Sequence, residues 1–233
     1  MSEPVELVLP MVVRIERATP PTRTDALEAA ARAVLVMLTS DEPDWQAAIH
    51  AWDGSRIRKV VRRARGAEWR RATAVPGITV EHGSAEVRVY PPVPVDGWPA
   101  ELLRLQVGGT ELDDPEPPGA PDPAQPLILV SPHLTMSAGK AMAQVGHAAQ
   151  LGWRAAPDGH RHAWQAAGFA VAVRTATPAQ WAAALAGGAP VVHDAGFTEI
   201  EPNSQTAAFV APATPSYGVE IPKIEPESGI STP

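Results

Sequence analysis

The chain has 233 residues, enough for one large domain or two small ones, and 45% of them are apolar, which suffices for a packed core. It contains no cysteine, excluding disulfides, thiolate metal sites and cysteine nucleophiles, and its net charge of −7 makes it acidic overall. No apolar run reaches the roughly 18 residues of a membrane span, and the acidic opening MSEPVELVLPMVVRIER lacks a basic signal-peptide region, so the expected location is cytoplasmic.

In chain order, LVLPMVVRI (7–15) reads as a strand and TDALEAAARAVLVML (24–38) as a helix. RIRKVVRRARGAEWRR follows at 56–71, with eight Lys/Arg against one Glu and a local charge of +7. From Glu111 to the end the balance is reversed, at −7. An arginine band in an acidic protein predicts an anionic partner, since the planar guanidinium donates two hydrogen bonds to a phosphate. The candidates are Arg56, Arg58, Lys59, Arg62, Arg63, Arg65, Arg70 and Arg71. A solvated charged face is the duller explanation, but one acid among eight bases leaves little internal neutralisation. PGITVEHG (76–83) is the next strand, and ELDDPEPPGAPDPAQP (111–126) reads as an extended acidic linker.

Beyond it, LILVSPHL (127–134) predicts a strand and GKAMAQVGHAAQLGW a helix over 138–153. Lys140, Gln144, His147 and Leu151 share one face of that helix among alanines and glycines. Lys140 stands in the first turn, where the helix dipole disfavours a cation, so it is either placed for chemistry or simply solvated. Further strands are expected at 170–173, 190–193 and 206–210. A second helix opens at the N-cap Thr177 with Pro178 at its first position, and stops at Gly187-Gly188. VRRARGAEWRRA (61–72) matches VRTATPAQWAAA (173–184) at a constant offset of 112, with Trp69 opposite Trp181. The predicted fold class is therefore α/β, with two similar lobes, each a small mixed sheet flanked by helices, arranged as a tandem pseudo-dimer. The lobes span 1–110 and 127–214, each read as strand–helix–strand–helix–strand–strand, and 215–233 forms a mobile tail.

The loop HDAGFTEIEPNSQT (193–206) leaves a buried strand through Asp194 and a turn, then brings Thr198 and Thr206 to the sheet edge, the usual place for a site in α/β proteins. Read with GKAMAQVGHAA, it makes the chain resemble the archaeal and eukaryotic class of peptidyl-tRNA hydrolase (type II). Gly139, Lys140, Gln144, His147 and Ala148 fit that family's Gly-Lys-x-x-x-Gln-x-x-His-Ala helix motif. Asp194, Ala195, Gly196, Thr198, Pro202 and Thr206 fit its Asp-Ala-Gly-x-Thr motif with the later Pro and Thr. The likeness covers about residues 127–213 and implies Lys140, Asp194, Thr198 and Thr206 as the catalytic set, with Gln144 and His147 behind them. Three positions depart from the pattern: Ala138 and Phe197 stand where the family has basic residues, and Asn203 where it favours glycine. The N-terminal half has no Gly-Lys and carries His82 opposite Asp194, so it reads as a degenerate lobe that holds tRNA or supports the other.

The substrate implied is peptidyl-tRNA, and the reaction is hydrolysis of the ester between peptide and tRNA, releasing free tRNA. On this reading Asp194 orients or deprotonates the water, directly or through Thr198. Lys140 offsets the oxyanion or holds the terminal phosphate, and Thr206 helps position the ester. Asp194 also suits a plain Asx turn, and both threonines are ordinary strand residues. The alternative function is a non-catalytic tRNA- or RNA-binding protein that keeps the hydrolase fold, and a protein-interaction scaffold is a third. No cofactor or metal is expected: His160, His162 and His193 form no recognised ligand pattern, no glycine-rich loop cradles a nucleotide, and neither Ser137 nor Ser204 sits on a nucleophile elbow. The implied family forms homodimers, so the chain is expected to act as an intramolecular pseudo-dimer, whether as a monomer or a homodimer, with no membrane partner.

Overall fold

A computed structural model describes residues 5–55, 57–196 and 198–212; Arg56, Phe197 and the predicted tail (215–233) lie outside them. The N-terminal part runs β1 (Leu7–Arg14), α1 (Arg23–Leu38), α2 (Pro43–Asp53), β2 (Arg58–Ala64), α3 (Gly66–Ala74), β3 (Ile78–His82), β4 (Ala85–Val89), β5 (Val93–Pro94) and α4 (Ala100–Leu103). The C-terminal part runs β6 (Leu127–Val130), α5 (Ala138–Ala155), α6 (Asp158–Ala166), β7 (Ala172–Thr175), α7 (Pro178–Ala186), β8 (Val191–His193) and β9 (Gln205–Val210).

The two sheets have the same plan. One is ordered β2-β1-β4-β3, with β5 also pairing β1, and the other β7-β6-β9-β8. In each, the first strand is central, parallel to the second and antiparallel to the last. Met11 thus sits between Val61 and Val89 as Ile128 sits between Val173 and Phe209. On the outer faces, Trp69 of α3 packs on Val12 and Ala64, and Trp181 of α7 packs on Leu129 and Ala176.

The inner faces meet through α1 and α5. Thr22 caps α1 by accepting from Asp25 N, and Ser137 caps α5 by accepting from Lys140 N. Both helices bury runs of alanine, so their backbones approach closely. At Gly146 a β-carbon would stand 2.8 Å from Val34 Cγ2 of α1. Reciprocal contacts tie the lobes: α5 lies against β2 and α1 against β7. The result is a single apolar core containing Leu9, Met11, Val34, Ile128, Met142 and Val173 together.

Each lobe carries a helix the sequence pattern did not reveal, α2 and α6. The predicted linker is also partly structural. Leu112 is buried, Asp113 O accepts from Arg23 N, and Asp114 bonds both the amide and the hydroxyl of Thr24. The preceding Thr110 accepts from Gly139 N, so this segment passes the first turns of both central helices. Residues 115–125 are exposed or half-buried.

Candidate active site

Four side chains converge where α5 begins and β8 ends. Lys140 Nζ donates to Asp194 Oδ2 at 2.6 Å and to Thr198 Oγ1 at 3.0 Å. Gln144, one turn along α5, donates to the same Asp194 Oδ2 at 2.8 Å. Gly196 N donates to Asp194 Oδ1 at 2.8 Å. The turn behind it requires glycine: Gly196 has φ +76°, and a β-carbon there would lie 2.4 Å from Pro202. Asn203, where the resembled family has glycine, has φ 65°, a left-handed conformation that asparagine tolerates. The departure at 203 therefore preserves the turn, and Asn203 N still donates to Asp194 O.

The ion pair is largely withdrawn from water, with side-chain exposure of 11% for Lys140 and 8% for Asp194, whereas Thr198 is exposed. An ammonium has three donors and two are used, so one N–H of Lys140 remains for a substrate oxygen. Asp194 Oδ1 retains a lone pair. The Thr198 hydroxyl accepts from Lys140 and keeps its own hydrogen to donate. Lys140 is tolerated in the first turn because Asp194 faces it. A second carboxylate, Glu199, accepts from Ser137 N and Oγ at the same helix end, where an acid is favourable.

Thr206 and His147 lie apart from these groups. Thr206 is fully buried and its hydroxyl donates to Gln144 Oε1 at 2.6 Å, with Val192 O a second acceptor at 3.3 Å. It does not face the cleft to hold an ester. It fixes the Gln144 amide with its oxygen toward β9 and its NH2 toward Asp194. His147 lies on the same helix face as Lys140 but belongs to the lobe interface, with Nδ1 3.0 Å from Lys59 Nζ. Burial and that neighbouring cation push its imidazole well below the ordinary range.

The arginine band divides. Lys59, expected as a phosphate ligand, is turned inward by alternation along β2. It is buried, donates to Gln150 Oε1 at 2.6 Å, lies over the Trp52 ring and has its ammonium pushed well down by burial. Arg62 donates to Leu103 O and Leu105 O and stacks on Trp98, while Arg63 holds Gly108 O and Gln106. Arg58 pairs with Glu6 at 3.4 Å, Arg65 is half-buried, and Arg70 and Arg71 are exposed on α3. The N-terminal lobe places different groups at the corresponding end of its sheet. Asp25, three residues after its cap as Lys140 is, bonds Ser84, and His82 bonds Glu28 at 2.7 Å.

Sequence reasoning missed Glu199 and Thr110, which brace the start of α5. Neither has a periodic or motif signal, although Glu199 directly follows Thr198. Among the described residues, no group of three or more His, Asp or Glu side chains is placed to hold a metal ion, and no helix is long and apolar enough to cross a membrane.

Residues 125–220 match the model of the family Peptidyl-tRNA hydrolase PTH2, which supports a hydrolase domain of this type in the C-terminal part; the N-terminal lobe falls outside the match. No curated protein matches the chain at a significant level.

Proposed function

We propose that the chain hydrolyses the ester bond between peptide and tRNA in peptidyl-tRNA, releasing free tRNA. The observation that carries this reading is the convergence of Lys140, Asp194 and Thr198, from segments more than fifty residues apart, within the span that matches the family.

A water held by Thr198 and the free lone pair of Asp194 Oδ1 attacks the ester carbonyl carbon. Asp194 takes the water's proton, and the third N–H of Lys140 donates to the carbonyl oxygen as negative charge develops on it. When the carbon–oxygen bond to the ribose breaks, the proton passes to the departing ribose oxygen. The products are a peptide carboxyl group and a free tRNA hydroxyl. Gln144 and Thr206 keep the carboxylate in line but do not touch substrate. Arg65, Arg70 and Arg71 are the band residues best placed to meet tRNA phosphates. The N-terminal lobe acts as a second, non-hydrolytic copy of the fold that supports α5, making the chain its own pseudo-dimer.

Release of the blocked amino acid from N-acetyl-aminoacyl-tRNA, with free aminoacyl-tRNA spared and activity lost in Lys140→Met, is the expected result. A non-catalytic RNA-binding protein is the second reading. It is favoured by Ala138, fully buried where the resembled family carries a base, and by the near-complete burial of the ion pair. Tight tRNA binding without release would establish that reading instead.

A further inference from the structure

On the opposite face of the C-terminal sheet, at the same end as Lys140 and Asp194, lies an open depression of about 420 Å³. Ser131 and His133 after β6, Trp181 of α7, His193 of β8, Asn203 before β9 and Gln205 at its start line it. A bulge between Val192 and His193 separates the two faces. It turns both Thr206 and Ala207 toward α5, and leaves Gln205 paired with His193 on the α7 side. Asp194 forms the partition. Its backbone bonds Ser204 O and Asn203 N, beside the depression, while its carboxylate points to Lys140.

The lining is chemically selective. It offers two imidazoles, an indole, two amides and two hydroxyls, but among the described residues no lysine, arginine or carboxylate. Such a surface gives a phosphate, a carboxylate or an ammonium no fixed countercharge. It suits a neutral heterocycle, which stacks on π faces and presents both donors and acceptors at its edge. We propose that this depression seats the terminal nucleoside of the tRNA. The base lies against the exposed rings of His133 and His193, above the buried indole of Trp181, and the amides of Asn203 and Gln205 read its edge. The ribose then passes over the strand end at Asp194 and delivers the ester to Lys140 and Thr198. The assignment rests on the hydrolase reading for its ligand, but its binding test does not depend on turnover.

The imidazole signals of His133 and His193 are followed by NMR while the trinucleotide CCA is added, with CCC as control. Shifts of both rings with CCA and not with CCC are expected; an equal response, or none, overturns the proposal. In the hydrolysis assay, N-acetyl-aminoacyl-tRNA ending in adenosine should exceed the same tRNA ending in cytidine by about tenfold in kcat/KM. The double variant His193→Ala, Gln205→Ala, altered at two exposed positions, should bring the two substrates to one value. A parent without preference, or a variant that keeps it, overturns the proposal. If neither substrate is hydrolysed, the hydrolase reading fails and the trinucleotide titration alone decides the subsite.

Discussion

Lys140 and Thr206 occupy the same small network, yet they should fail differently. Lys140 carries the donor aimed at developing charge, so Lys140→Met is expected to lower kcat about 100- to 1000-fold. Thr206 acts only through the Gln144 amide. Thr206→Val should cost about 10- to 100-fold in kcat with little change in KM, and Thr206→Ser should recover most of it. Steady-state kinetics on N-acetyl-aminoacyl-tRNA separate the two, and a rise in KM alone for Thr206→Val would refute the assignment. The band makes a parallel contrast, since Lys59 is buried and Arg70 and Arg71 are exposed. Removing both arginines should reduce the salt dependence of tRNA binding by about two counterions, while Lys59→Met leaves that slope unchanged. Filter binding across a salt series measures both. Composition marked all eight positions alike; the pleat of β2 turns Lys59 inward, whereas Arg70 and Arg71 lie on the exposed side of α3.

The central helices were legible because their signals are local. Runs of alanine mark both within the sequence. The missed helices are different: α2 buries only Ile49 and Trp52, and α6 only Trp164, too few apolar positions to reveal a period of 3.6. The close approach of α1 and α5 carries its own prediction. A β-carbon at Gly146 meets Val34 at 2.8 Å, so Gly146→Ala should destabilise the protein by about 1–3 kcal/mol, read from urea unfolding. An unchanged midpoint would mean the helices can part without cost. The same contact positions the site, because α5 carries Lys140 and Gln144 on one side and Gly146 on the other.

Across the whole molecule, polar groups join the lobes at both ends of the helix pair. Glu28 of α1 accepts from Val173 N at 3.0 Å and from Arg174 at 2.7 Å. Burial works to raise its carboxyl, but the bonds from His82, Val173 and Arg174 outweigh it and hold it below its ordinary 4.5. Its contribution to stability is complete above pH 4.5 and is lost as pH falls through the depressed value. His147 works in the same direction for a different reason. Its imidazole resists protonation when folded, so below its ordinary 6.5 the unfolded chain binds the extra proton and stability declines. Stability should therefore fall in two stages on acidification. Glu28→Gln should lose stability at neutral pH and show a flatter acid limb, by urea titration at several pH values; an acid limb parallel to the parent's would refute the linkage.

Sequence alone determined the main alternation of strands and helices, the cap at Thr177, and the two motifs that carry the C-terminal residues, because each is written in neighbours within a few positions. It also determined that any site here works without thiol chemistry, since the chain has no cysteine. Tertiary structure decided the rest: that Thr206 braces Gln144, that His147 faces Lys59, that part of the apparent linker packs beside two helix starts, and that both lobes share one core. These pairings join segments about 30 to 90 residues apart, or depend on which face of a strand a neighbouring helix covers. No local period encodes that choice; it is made by the packing of α1 on α5.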